Sequence, residues 1–80
     1  MSTAQELVRA LDLLQRQDWQ GAHAIVQDLE DPVAYRIHGL VHRIEGDAAN
    51  ARYWYGRARV AFDERSSIDD EIEAVRRTLA

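Results

Sequence analysis

At positions 45–47 the chain reads Glu-Gly-Asp, a helix stop and a helix start set side by side. Glycine takes up the left-handed backbone that ends a helix, and aspartate accepts hydrogen bonds from the free N–H groups that begin one. With nothing between them, the two helices have to turn back on each other and pack as antiparallel neighbours.

The same punctuation recurs along the chain. Thr3-Ala4-Gln5-Glu6 reads as a capping box, followed by the apolar stripe Leu7, Leu11 and Leu14, a helix ending near Arg16. Asp18 caps a second helix, with Ala22, Ile25, Val26 and Leu29 at helical spacing. Asp31-Pro32 opens a third, since proline is well suited to the first helical position; its stripe is Val33, Ile37, Leu40, Val41 and Ile44. The fourth starts from Asp47 and carries Ala51, Trp54, Tyr55, Ala58 and Phe62 on one face. The fifth opens at Ser67, with Asp69 and Asp70 at the positive end of its dipole, Arg76 and Arg77 at the other, and a stripe of Ile68, Ile72, Val75 and Leu79. No strand pattern competes. The expected fold is all-α: a single domain over 1–80 made of two antiparallel helical hairpins, 3–30 and 32–64, and a capping helix over 67–79.

A chain of 80 residues hides only about 60% of its unfolded surface, so the core is thin and two independent cores are excluded. There is no cysteine, which removes disulfides, thiolate metal sites and cysteine nucleophiles together. All ten basic residues are arginine, and the net charge of -4 disfavours nonspecific binding to nucleic acid. No segment reads as a membrane span or a secretory signal, and a cytoplasmic location is the default expectation. Phosphate-binding glycine loops, an oxyanion motif beside Ser66 and Ser67, and a paired-carboxylate dyad are all missing, so no enzyme activity and no cofactor are expected.

The second hairpin echoes the first, with Asp18, Ala22, Val26 and Leu29 falling on Asp47, Ala51, Tyr55 and Ala58. In it, Gly39, Gly46, Asp47, Ala51, Tyr55 and Ala58 lie at the spacing of a tetratricopeptide repeat. The stretch "ARYWYGRA" also resembles the A-x-x-W-Y-x-x-A segment of Sel1-like repeats. "HRIEGD…NARYWY" is similar, in addition, to a stretch in small bacterial proteins of no known activity. The repeat resemblance covers residues 33–60. It implies a helix-lined groove for a protein or peptide, with Arg36, Leu40 and Arg43 on helix three facing it. Two cations flanking an apolar contact suit an acidic partner. Asn50, Tyr53 and Arg57 form a second candidate contact patch on the outer side of helix four.

Two alternatives stand beside that reading. His38 and His42 are one helical turn apart and His23 lies on the preceding helix, so the three could hold a metal ion, with Glu45 or Asp47 as a fourth ligand; structural histidines are the competing explanation. The stripe of helix five either packs within the chain as a cap or projects as the seam of a homodimer.

Overall fold

The computed structural model describes residues 2–80 and is all-helical: α1 Thr3–Gln15, α2 Trp19–Val26, α3 Pro32–Glu45, α4 Ala48–Ala58 and α5 Ile68–Leu79, with no strand among the described residues. Each helix begins where a short polar side chain takes up free N–H groups. Asp18 accepts from the Gly21 N–H at 2.9 Å, Asp31 from Val33 at 2.8 Å, Asp47 from Asn50 at 3.2 Å and Ser67 from Asp70 at 3.0 Å. The capping box of α1 sits one residue earlier than the expected Thr3-Glu6 frame: Ser2 Oγ accepts from the Gln5 N–H at 3.1 Å, and Gln5 Oε1 accepts from the Ser2 N–H at 2.9 Å. Both frames place a hydroxyl three residues before Gln or Glu, and serine is the stronger cap of the two.

Three helices end by one device. Gln17, Gly46 and Arg59 hold φ of 65, 85 and 60°, and behind them Asp18, Asp47 and Val60 donate to the carbonyls of Leu13, His42 and Tyr55 at 2.8, 2.9 and 3.0 Å. These bonds take up carbonyls that the helix itself leaves free. Arg59 therefore stops α4 at Ala58, short of the expected Phe62. The turn brings Phe62 back edge-on to Tyr55, with ring centres 5.2 Å apart.

The core is shared by four helices: Leu7, Ala10, Leu11 and Leu14 of α1, Ala22 and Val26 of α2, Ala34, Ile37, Leu40 and Val41 of α3, and Ile72 and Val75 of α5. Burying each of the larger side chains contributes about 1.5–3 kcal/mol. Among the helices, α4 touches only α3, whereas α5 lies against α1 and α3. No helix among the described residues is long and apolar enough to cross a membrane.

The stripe of α5 is turned into its own chain, with Ile72 and Val75 fully buried. Arg36 of α3 pairs with Glu71 at 2.7 Å, Arg43 donates to the Ser66 carbonyl at 2.6 Å, and Arg76 of α5 pairs with Asp12 of α1 at 2.7 Å. Leu40, between the two arginines of α3, is wholly buried. The α3 face on which a partner was expected is thus occupied by α5 and the segment leading into it. Arg43 is a fold contact and not a free surface cation.

The α3–α4 pair runs antiparallel, as the order of its contacts shows: Tyr35 meets Arg57, His38 meets Trp54, and Gly39 meets Ala51 and Tyr55. A side chain at Gly39 would collide with Cδ1 and Cε1 of the buried Tyr55 ring and press on the Ala51 carbonyl. Gly39→Ala therefore loses stability by about 1–3 kcal/mol in spite of alanine's better helix propensity. Urea unfolding of the two proteins measures this; an unchanged or higher midpoint would show that the ring has room to move.

Candidate functional site

Histidines from two helices converge beside α4. The Asp18 cap and the buried face made by Ala22 and Val26 orient α2 so that His23, in its last turn, reaches α3. There His38 and His42, one turn apart, lie nearly parallel with ring centres 5.0 Å apart, and His23 stands edge-on to them at 4.6 and 5.8 Å. One ring nitrogen from each histidine lies within 4.8 Å of the others. A tetrahedral ion with metal–nitrogen bonds of 2.0–2.1 Å places its ligands about 3.4 Å apart, so the three nitrogens stand near the spacing that a single ion would require.

Two contacts hold the rings. Trp54 lies flat against His38, 3.9 Å between centres with the planes 10° apart, and this stack fixes the imidazole from behind. Nδ1 of His42 is 2.7 Å from Glu45 Oε1. A proton on Nδ1 donated to that carboxylate leaves Nε2 with a free lone pair, the tautomer a metal requires. Burial, and then the neighbouring charges of His23 and His42, push His38 down to about 4, so its ring is neutral at pH 7.

Glu45 and Asp47, the candidates for a fourth ligand, are engaged elsewhere. Glu45 serves His42, while Asp47 caps α4 and accepts from Asn50 Nδ2 at 2.8 Å. The hydrogen bonds from the Asn50 side chain and then its backbone hold Asp47 below the usual carboxylate range.

The proposed contact residues separate into different environments. Arg36 pairs with Glu71 of α5, Leu40 is buried in the core, Arg43 holds the segment leading into α5, and Asn50 belongs to the α4 cap. Tyr53 and Arg57 come together around Trp54: Tyr53, 56% exposed, stands edge-on to it at 5.2 Å. The Arg57 guanidinium lies 4.4 Å over the Tyr35 ring and 5.2 Å from Trp54. Tyr35, and the role of Trp54 behind a histidine, were not singled out from the sequence. Both become apparent only when α3 and α4 are paired about the Gly46–Asp47 turn.

No protein-family model matches the chain, and comparison with curated proteins and with solved structures finds no match.

Because the folded state holds His38 near 4 against an ordinary 6.5, the unfolded chain binds more protons across that window. This histidine's contribution to stability is then complete above about pH 6.5 and is lost as the pH falls through it toward 4. In NMR titration of the metal-free protein, the His38 ring protons should shift with a midpoint near 4; a midpoint near 6.5 would contradict the buried, stacked placement.

Proposed function

We propose that this protein is a small transition-metal-binding helical domain whose ligands are His23, His38 and His42. The observation that carries the reading is the convergence of three imidazole nitrogens within 4.8 Å from two helices. Imidazole donors suit zinc, cobalt, nickel or copper(II), and the absence of thiolates and of a carboxylate cage argues against copper(I), calcium and magnesium. The tetratricopeptide- and Sel1-like spacing of residues 33–60 belongs to this proposal as scaffold: a repeat-like hairpin would present two ligands from its first helix and the supporting tryptophan from its second.

Protein purified without a histidine tag and titrated with zinc by calorimetry should bind one ion per chain. His23→Ala, on the partly exposed ring, should weaken binding by more than Glu45→Gln does, the latter by about 10–100-fold as is typical when a ligand loses its supporting partner. Equal zinc affinity in the wild type and the His23 variant would overturn the assignment.

A second reading has its own observation. Residues 48–62 carry Arg52, Arg57 and Arg59 and no carboxylate in a protein of net charge -4; Arg52 is paired with Glu64 at 3.3 Å, while Arg57 and the projecting Tyr53 both lie against Trp54. We propose this outer face of α4 as a contact for an acidic protein or peptide. Tyr53→Ala with Arg57→Glu should abolish a capture seen with the wild type while zinc binding persists; capture that survives both changes would rule the face out.

A further inference from the structure

The geometry points to an incomplete coordination sphere: resting on the metal reading above, we infer that the ion held by His23, His38 and His42 keeps an exchangeable position that accepts a small oxygen or nitrogen anion, such as a carboxylate, a phosphate group or hydroxide. The donor set is the first reason. Among the described residues, the cluster with metal-ligating spacing ends at three members. The two acidic side chains that could offer a fourth ligand are committed, Glu45 to the Nδ1 of His42 at 2.7 Å, and Asp47 to the α4 cap and the Asn50 amide at 2.8 Å. Closed structural sites supply four protein ligands, and three protein ligands with water in the fourth place are the pattern of sites that exchange or activate a ligand.

The burial of the donors agrees with this. All three come from α2 and α3, and the tripod is backed by Trp54 on His38. His38 forms its buried foot, while His23 and His42 are only partly buried, so the remaining side is reached from solvent.

Charge then selects the ligand. Three neutral imidazoles leave the full double positive charge of a divalent ion uncompensated, in contrast to sites built with thiolate or carboxylate. Such a centre attracts an anion and acidifies bound water toward a pKa of about 7. The Glu45 carboxylate does not cancel this charge directly, since it reaches the metal only through the His42 ring.

Cobalt(II), added alone to the intact wild-type chain, is the probe. Expected are the intense visible bands of a four-coordinate site, which then shift on titration with azide and saturate at one azide per cobalt. Glu45→Gln should retain both responses at weaker metal affinity. Cobalt bands that do not respond to azide would overturn the open position while leaving the metal site standing. Loss of the four-coordinate bands in Glu45→Gln would overturn it as well, by making Glu45 the fourth ligand. A wild-type protein that develops no cobalt bands and takes up no cobalt fails at the earlier step, and removes this inference along with the metal reading.

Discussion

A missing side chain governs the spacing of the molecule's best-packed helix pair. Gly39 leaves a notch in α3, the Tyr55 ring fills it, and the Ala51 carbonyl of α4 comes close behind. Close approach fixes the register of α4 along α3 as well as its distance. That register lays Trp54 on His38 and brings Arg57 over Tyr35. The candidate centre is therefore a by-product of backbone packing: its buried histidine is held in place by a tryptophan whose own position depends on a glycine one residue further along α3.

Helix α5 solves a different problem. Four short helices in an 80-residue chain leave an open apolar side, and Ile72 and Val75 close it. The arginines of α3 hold the edge of this lid, one through a carboxylate and one through a backbone carbonyl. Glu71 is buried and Arg36 half-buried, so removing the arginine leaves a shielded carboxylate without its partner. Arginine suits these places because its planar, permanently charged head can reach an acceptor while its stem covers apolar surface.

The sequence made helix starts legible because capping is local chemistry: Asp18, Asp31, Asp47 and Ser67 each act within three residues of themselves. The all-helical class, the turn at Gly46–Asp47 and the small residues of the α3–α4 contact could be read for the same reason. Features that depend on distant partners could not. Nothing near Arg43 in sequence indicates that it reaches the carbonyl of Ser66, so a spacing that suited a ligand-facing row turned out to suit an internal cover equally well. The end of α4 was missed because a left-handed arginine is uncommon enough to go unmarked. The three histidines were visible as residue types at suggestive spacing, but their convergence required the packing angle of α2, which no local pattern encodes.

The peripheral attachment of α4 has a dynamic consequence. Because it touches no helix except α3, a single helix interface has to part for it to leave the body; that interface is closely packed, with Tyr55 fully buried in the Gly39 notch, so α4 leaves only as a cooperative unit while the core of α1, α2, α3 and α5 stays closed. Each such excursion would strip Trp54 from His38 and let that imidazole turn. On the proposed metal reading, an ion bridging α2 and α3 would hold His38 in place and oppose the excursion, and occupancy of the centre and residence of α4 on the body would be one linked equilibrium.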